Sequence, residues 1–197
     1  MLDRYAGGMT IHDTGAFLRA WLAAPLRVAS VMPSGPALSR LITSEVLPDA
    51  GHVVELGAGT GVFTRALLDR GIDESDLTLV EFDMDLVMLL RRKFPRARVL
   101  RMDAAGLGAA GLVTLSPVAA VISGLPLLGM PNDKVRAIIS GAFGLLRAGG
   151  AFYQFTYGLQ CPVRRAVLEP LGLQANRIGR ALANLPPAAV YRIERKL

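Results

Sequence analysis

Cysteine and histidine are scarce in this chain of 197 residues, and each shortage argues against a class of protein. The single cysteine, Cys161, cannot form an internal disulfide, which argues against a disulfide-stapled secreted domain and fits a reducing compartment. The two histidines, His12 and His52, are too far apart in sequence to form a metal-binding motif, so we expect no metal. Residues 104–132 carry no charge, but their many glycines and prolines favour a buried strand with loops over a membrane-spanning helix.

Acidic residues are outnumbered as well, with 16 aspartates and glutamates against 22 lysines and arginines, a formal net charge of +6. A basic protein favours an anionic partner, either a nucleic acid or a membrane. The excess is concentrated in residues 151–197, with seven basic residues and two acids, and a second basic cluster lies in residues 91–101. Either cluster is equally compatible with an ordinary solvated face. The length predicts one domain, residues 1–197, and the first residues lack the apolar core of a signal peptide.

The chain is organised around residues 53–61, Val-Val-Glu-Leu-Gly-Ala-Gly-Thr-Gly. An apolar run that ends in an acid and continues into alternating glycines predicts a buried strand, a tight turn and a helix from about Val62. Glycines here let the backbone approach a ligand closely. Val62 stands where a dinucleotide fingerprint has its last glycine, and the lysine of a phosphate-binding P-loop is missing. The motif therefore predicts a close-fitting ligand that is not held mainly through phosphates.

Two acids follow at the ends of the next two predicted strands. Glu81 lies about 20 residues after the motif, where an α/β nucleoside site accepts hydrogen bonds from ribose hydroxyls. Asp103 can accept from an adenine amine, while the N–H beside it, at Ala104, can reach a ring nitrogen. Strands and helices alternate, which predicts an α/β fold with a parallel sheet. The strands predicted for this sheet are residues 53–56, 77–81, 98–102, 118–122 and 151–157.

Cap and turn signals predict the helices. Ser34 is expected to cap a helix from Pro36 to about residue 46, and Asn132 or Asp133 to cap one that runs to residue 146. Residues 147–150, Arg-Ala-Gly-Gly, should stop the second of these helices. The other predicted elements are a helix in residues 83–94, a helix in residues 162–171 and an antiparallel hairpin of residues 173–183 and 189–195.

An amphipathic helix is predicted near the N-terminus. Apolar side chains recur at helical spacing in residues 17–22, with arginines off that face, which is the form of an interfacial membrane helix. A helix packed on its own domain is equally compatible with this pattern. The candidate membrane contacts, in an extension formed by residues 1–31, are Phe17, Leu18, Arg19, Trp21 and Arg27.

Several segments spread along nearly the whole chain resemble a known family. Besides the glycine motif they are Phe-Leu-Arg-Ala-Trp-Leu at 17–22, Val-Met-Pro-Ser at 31–34, Ser-Gly-Leu-Pro-Leu at 123–127, Gln-Phe-Thr-Tyr-Gly at 154–158 and Asn-Leu-Pro-Pro-Ala at 184–188. Together they look like the bacterial phosphatidylethanolamine N-methyltransferases, class I S-adenosylmethionine-dependent enzymes related to ribosomal RNA adenine dimethylases. The glycine motif is specific only to the superfamily, whereas the last three segments point to the lipid group.

The resemblance implies a Rossmann-like, mostly parallel sheet with a C-terminal antiparallel hairpin, helices on both faces and N-terminal amphipathic helices. It implies stepwise methyl transfer from S-adenosylmethionine to phosphatidylethanolamine, towards phosphatidylcholine, with S-adenosylhomocysteine as the second product. The enzyme is expected to be a cytoplasmic monomer, peripheral on the inner face of the membrane, with an anionic membrane surface but no nucleic acid as partner. Its cofactor-binding candidates are Ser34, Glu55, Gly57, Ala58, Gly59, Gly61, Glu81, Phe82, Asp103, Ala104 and Ser123.

Tyr157 is the first candidate for binding the substrate, because an aromatic face can hold the methylated ammonium through a cation–π contact. Arginine suits the lipid phosphate, which it can bind through two parallel hydrogen bonds. Ser123 and Tyr157 are the catalytic candidates. The further substrate-binding candidates are Arg164, Arg180 and Arg177, in that order, together with Asn184 and Leu125.

Two other functions remain open. The basic surface allows an RNA adenine methyltransferase, but the Ser-Gly-Leu-Pro-Leu segment lacks the aromatic residue that stacks on a flipped base in such enzymes. A non-catalytic membrane-binding relative is disfavoured by the intact glycine motif with Glu81 and Asp103.

Overall fold

The computed structural model describes residues 35–109, 117–184 and 186–196, so Ser34 and the predicted membrane-binding helix, with Phe17, Leu18, Arg19, Trp21 and Arg27, lie outside the described residues. The strands are β1 (His52–Leu56), β2 (Leu77–Glu81), β3 (Arg98–Arg101), β4 (Val118–Ser123), β5 (Leu146–Thr156), β6 (Leu173–Ala181) and β7 (Ala188–Arg195). They form one sheet in the order β3-β2-β1-β4-β5-β7-β6. Strands β1 to β5 run parallel, and β7 is antiparallel to both β5 and β6.

Helices cover both faces of this sheet. The α-helices are α1 (Pro36–Ile42), α2 (Val62–Asp69), α3 (Met84–Lys93), α4 (Asn132–Leu145) and α5 (Arg165–Leu168). The apolar sides of α1, α2 and α3 pack on one face, and those of α4 and α5 pack on the other. Every residue of β1 and β4 is buried, as expected of parallel strands covered on both sides. The predicted α/β class, with its C-terminal antiparallel hairpin, is confirmed.

The carboxyl ends of β1 to β5 meet at one edge of the sheet, which we call the carboxyl edge. Because β6 runs in the same direction as β5, it also ends there, and the β6–β7 turn lies at that edge. In open α/β sheets, ligands bind beyond this edge. The glycine motif, Glu81, Asp103, Ser123 and Tyr157 all follow strands that end at it.

Two predicted helix boundaries are wrong. Helix α1 ends at Ile42, because the following residues form tighter i→i−3 turns, with Ser44 N–H donating to Leu41 at 3.2 Å. Neither Asn132 nor Asp133 caps α4: Pro131 occupies the cap position, and no side chain bonds to the first N–H groups. Both polar residues stand inside the first turn, where Asp133 complements the helix dipole instead.

The start of β5 also differs from the prediction. Residues 147–150 were expected as a helix stop before a strand at 151–157, whereas β5 begins at Leu146 and ends at Thr156. The pairing with β4 explains the difference. Val118 pairs with Leu146 and Ala120 with Ala151, so the register shifts and the Arg-Ala-Gly-Gly segment bulges from the ladder. The helix predicted at residues 162–171 is reduced to α5 and a 3₁₀ turn, Glu169–Leu171, that contains Pro170. Within the described ranges, no helix is long and apolar enough to span a bilayer.

Candidate active site

The glycine motif forms the turn between β1 and α2. Gly57, Gly59 and Gly61 have φ angles of 68°, 56° and 81°, in the left-handed region that residues with a Cβ rarely adopt. The Gly57 N–H donates to the Val80 carbonyl at 2.8 Å, which ties the turn to β2. A Cβ on Gly57 would lie 2.7 Å from Leu125 Cδ2. The turn therefore lies in direct contact with the loop after β4.

The Glu81 carboxylate joins the same turn to the end of β2. Its Oε2 accepts a hydrogen bond from the Gly59 N–H at 2.9 Å, and its Oε1 accepts from the N–H groups of Phe82 and Asp83 at 2.7 and 3.0 Å. A carboxylate oxygen can accept about two hydrogen bonds, so Oε2 keeps room for another donor. Glu81 is fixed by the backbone and is still able to bind a hydroxyl.

Glu55 lies beneath the motif in the protein interior. It is 1% exposed, its Oε2 accepts from the Thr64 hydroxyl at 2.5 Å, and its Oε1 has no hydrogen-bond partner among the described residues. Burial raises the pKa of Glu55 to about 8; the Thr64 hydrogen bond opposes this rise, and the charge of Glu81 adds to it. Glu55 is therefore mostly protonated at neutral pH. It supports the turn from below through its contact with Thr64.

A cavity of about 220 Å³ opens at the carboxyl edge beside the motif. Its apolar walls come from Val80, Met102, Met130 and Ile138, and Phe82, which is 69% exposed, also lines it. The predicted site residues that it brings together are Gly57, Glu81, Phe82, Asp103, Ala104 and Leu125.

Lys134 of α4 lines this cavity too, although the sequence did not single it out. Its ammonium donates to Asp103 Oδ2 at 2.8 Å, while Asp103 Oδ1 accepts from the Ala105 N–H at 3.0 Å. The Lys134 hydrogen bond is the main cause that holds the pKa of Asp103 below its ordinary value. Both side chains are partly exposed, so the ion pair adds little to stability. Asp103 is therefore ionised at neutral pH and can act as an acceptor.

Gln154 of β5 fixes the Ser-Gly-Leu-Pro loop and was also missed as a site residue. Its Nε2 donates to the Leu125 carbonyl at 2.9 Å, and its buried Oε1 has no partner within the described ranges. Ser123 is fully buried, and its Oγ accepts from the Leu125 N–H at 3.3 Å. A Cβ on Gly124 would lie 2.7 Å from the Gly57 carbonyl oxygen. Ser123 therefore shapes this loop from inside the protein.

Tyr157 and Asn184 meet at the same edge, on the side of α1 to α3. Tyr157 is partly buried and packs edge-to-face on Phe155, with ring centroids 5.4 Å apart. Burial raises the pKa of Tyr157, and a hydrogen bond with Asn184 opposes the rise. Asn184 Oδ1 accepts from the Gly35 N–H at 2.9 Å, and its Nδ2 donates to the Pro186 carbonyl at 2.8 Å. Asn184 thus connects three segments, and Tyr157 remains a neutral phenol at neutral pH.

The three arginines predicted to bind lipid phosphate lie away from the 220 Å³ cavity. Arg164 lines a separate cavity of about 570 Å³ with Arg165 and Lys196. Arg177 and Arg180 are exposed on β6, the outermost strand, which is separated from β4 by β5 and β7. Three strand spacings amount to about 14 Å. The structure therefore brings five of the eleven cofactor candidates to the cavity, but none of the three arginines.

Comparison with known proteins decides the family. A family model described as a methyltransferase domain matches residues 53–150. Ornithine lipid N-methyltransferase of Singulisphaera acidiphila is 30% identical over 191 residues, covering 92% of this chain and 95% of the relative. The chain belongs to the class I S-adenosylmethionine-dependent lipid N-methyltransferases. Membership confirms the class of lipid N-methyltransferases that the sequence segments indicated.

Two further similarities fit this methyltransferase. Ribosomal RNA small subunit methyltransferase A of Maridesulfovibrio salexigens is 36% identical, but over 73 residues, 37% of this chain and 27% of that relative. A TehB-like S-adenosylmethionine-dependent methyltransferase from Corynebacterium glutamicum superposes with a TM-score of 0.62 at 16% identity, over 95% of this chain and all of the other. Because the sequence identity with the TehB-like protein is 16%, this similarity shows a shared fold and nothing about the substrate.

The cofactor implied by this family is S-adenosylmethionine, and the residues of the cavity fit its adenosine part. Apolar walls suit a planar base, ionised Asp103 can accept from an exocyclic amine, and Glu81 Oε2 can accept from a ribose hydroxyl. The missing Cβ at Gly57 leaves the backbone open to close approach. Ala58, by contrast, is buried in the core, so any part it plays in binding is through its backbone.

Asp103 and Lys134 make a matched pair for testing this fit. We expect D103N to weaken binding of S-adenosylhomocysteine about tenfold, because it removes a charged acceptor worth about 1.5 kcal/mol. We expect K134Q to change the Kd less than about fivefold, because an exposed ion pair is worth under about 1 kcal/mol. Titration calorimetry measures both. A larger effect of K134Q than of D103N would mean that Lys134 itself contacts the ligand.

Proposed function

We propose that this methyltransferase transfers methyl groups stepwise to the amine of a membrane lipid head group at the membrane surface. The observation that carries the proposal is its end-to-end similarity to ornithine lipid N-methyltransferase. Phosphatidylethanolamine is the head group we favour, because the segments at residues 123–127, 154–158 and 184–188 resemble the phosphatidylethanolamine enzymes. Its product after three transfers is phosphatidylcholine. An ornithine lipid is the second candidate, favoured by the name of that relative.

Bound S-adenosylmethionine supplies a methyl group on a sulfonium sulfur. The residues of the chain provide alignment, since holding two reactants in line replaces a bimolecular encounter. The glycine turn, Glu81 and Asp103 hold one partner beside β1 to β3. The Ser-Gly-Leu-Pro loop, fixed by Gln154, faces that turn and lies where an acceptor amine can approach.

Tyr157 is proposed to receive the methylated amine. Its neutral phenol presents an aromatic face, which attracts an ammonium through the ring quadrupole by about 0.5–2 kcal/mol. Its raised pKa disfavours the phenolate, so the role of Tyr157 is an aromatic contact rather than proton removal. Asn184 forms a hydrogen bond with Tyr157 and is itself held by the Gly35 N–H, so we propose that it fixes the position of the Tyr157 ring.

The site of action is proposed as the cytoplasmic face of the membrane, where the enzyme binds peripherally as a monomer. Support comes from the basic character of the chain and from the amphipathic pattern of residues 17–22. An RNA substrate has less support, because Leu127 stands where a base-stacking aromatic is needed and is buried. The ribosomal RNA relative also matches a minority of the chain.

Methyl transfer from labelled S-adenosylmethionine tests the proposal. The purified protein is incubated with phosphatidylcholine vesicles that contain phosphatidylethanolamine, ornithine lipid or neither, and in parallel with ribosomal RNA. We expect label in the lipid of one or both amine-containing samples and none in RNA. Binding of S-adenosylhomocysteine without label in either lipid would overturn the proposal. Label in ornithine lipid alone would replace phosphatidylethanolamine as the substrate.

A further inference from the structure

Two leucine side chains at the carboxyl edge of the sheet are exposed to solvent. Leu159, in the loop after β5, is 85% exposed, and Leu182, in the β6–β7 turn, is 72% exposed. Burial of such side chains is normally favourable, and both leucines lie at the edge of the sheet that carries the candidate active site.

A β-bulge in β6 places two arginines on one face of that strand. Arg177 pairs with Tyr191, and Arg180 pairs with Ala189. Tyr191 and Ala189 are two residues apart in β7 and therefore point to the same face. Arg177 and Arg180 are three residues apart and would point to opposite faces of a regular strand, but the register shift between Arg177 and Gly179 brings them onto one.

The leucines and arginines belong to one surface. The Tyr191 hydroxyl, on the face of Arg177, lies 3.5 Å from the Leu159 carbonyl oxygen. Leu182 follows Arg180 by two residues at the end of β6. We call Leu159, Arg177, Arg180 and Leu182 the hairpin patch.

The charge of the hairpin patch is not balanced by acids. Across β6 and β7 the one acid is Glu194, which pairs with Arg192 at 2.9 Å. Glu194 is three residues from Tyr191 in a regular strand, so it points to the opposite face. Within the described ranges, neither Arg177 nor Arg180 forms an ion pair. Unpaired guanidinium groups beside exposed leucines match the anionic head groups and the hydrocarbon boundary of a bilayer.

We infer that the hairpin patch is a membrane-contacting surface, in which Leu159 and Leu182 insert into the bilayer interface while Arg177 and Arg180 bind anionic lipid head groups beside them. This rests on the proposed function, in which the substrate is a membrane lipid. The patch lies at the edge that also carries the glycine turn and the Ser-Gly-Leu-Pro loop, so contact there turns the site towards the lipid. The two arginines then bind neighbouring lipids, about 14 Å from β4, and not the reacting head group.

Vesicle sedimentation with matched variants tests the inference. Vesicles contain equal parts of phosphatidylglycerol and phosphatidylcholine, or phosphatidylcholine alone. We expect L159S/L182S to bind the mixed vesicles about tenfold more weakly than the wild type. The control L47S removes a leucine that is 59% exposed in the turn before β1, at the opposite edge, and should stay within twofold of the wild type.

The arginines have a charge-matched control. We expect R177Q/R180Q to bind the mixed vesicles at least about tenfold more weakly and to lose most of the difference between the two vesicle types. R92Q/R147Q removes two other exposed arginines and should have a much smaller effect. S-adenosylhomocysteine binding and thermal unfolding confirm that every variant is folded. Equal losses in patch and control variants, or losses in RNA binding without losses in vesicle binding, would overturn the inference.

A second readout separates this inference from the proposed function. Methyl transfer into vesicle lipid should fall in L159S/L182S, while transfer into the same lipid dispersed in detergent should stay at the wild-type rate. If the wild type labels no lipid in either form but the patch variants still lose vesicle binding, the proposed function is rejected. The inference that the hairpin patch contacts the membrane is then retained. If the wild type labels lipid and L159S/L182S matches it on vesicles, the surface is rejected and the function stands.

Discussion

Alanine at Gly61 is expected to lower the free energy of unfolding by about 3 kcal/mol and to abolish most cofactor binding. Gly61 has a φ of 81°, which is unfavourable for any residue with a Cβ. The new methyl carbon would also collide with the Phe94 ring, because it would lie 2.8 Å from Cζ of that ring. Phe94 is fully buried, with the Arg65 guanidinium 5.6 Å from its centroid, so the ring would have to leave its packed position to relieve the collision. Chemical denaturation and calorimetry with S-adenosylhomocysteine measure the two effects.

Gly149 provides the control for this variant. It has a similar φ of 75°, but a Cβ there meets no atom within 4 Å. G149A should therefore show the backbone penalty alone, about 1–2 kcal/mol, with the cofactor Kd unchanged. If G61A and G149A were equally destabilised, the contact between the glycine turn and Phe94 would not be the cause.

The second large effect is a loss of stability as the pH rises, caused by Glu55. Its pKa of about 8 lies above the 4.5 of an unperturbed glutamate, so between these values the native state holds a proton that the unfolded state has released. Stability is then full below pH 4.5 and falls by about 1.4 kcal/mol per pH unit until the native carboxyl ionises. We expect the free energy of unfolding to drop by about 2 kcal/mol between pH 6.5 and 8.

E55Q should remove most of this pH dependence, because an amide does not ionise. Denaturant unfolding of both proteins at pH 6.5, 7.25 and 8 is the measurement. The range limits the contribution of His52, whose pKa is lowered by burial and which therefore reduces stability mainly below pH 6.5. A wild-type stability that is constant across this range, or an E55Q variant with the wild-type slope, contradicts the assignment.

The glycine turn and Glu81 could be predicted because their geometry is local. Gly57, Gly59 and Gly61 need positive φ angles that few other residues tolerate, and strand, turn and helix follow one another directly. Glu81 was predicted from its distance along the chain, since one helix and one strand separate it from the motif. The parallel sheet followed from continuous apolar strands such as β4.

The rest of the site depends on contacts between distant segments. Lys134 meets Asp103 across 31 residues and Gln154 meets the Leu125 carbonyl across 29, and no periodic pattern marks such pairs. The position of Arg177 and Arg180 followed from strand order, because the insertion of β7 between β5 and β6 moves them outward. The strand β5 was misplaced at its start because a register shift, rather than residue preference, sets where it begins.

The hydrogen bond from the Gly35 N–H to Asn184 joins residues 149 positions apart in sequence. Closing a loop of that size carries a larger entropy loss than closing the β6–β7 hairpin, whose outermost pair, Leu173 and Arg195, is 22 residues apart. We therefore expect this bond to form after the sheet has brought the two segments together. We then expect the surroundings of Tyr157 to be completed late in folding. A partly folded chain can have an intact glycine turn before the contacts around Tyr157 and Asn184 have formed.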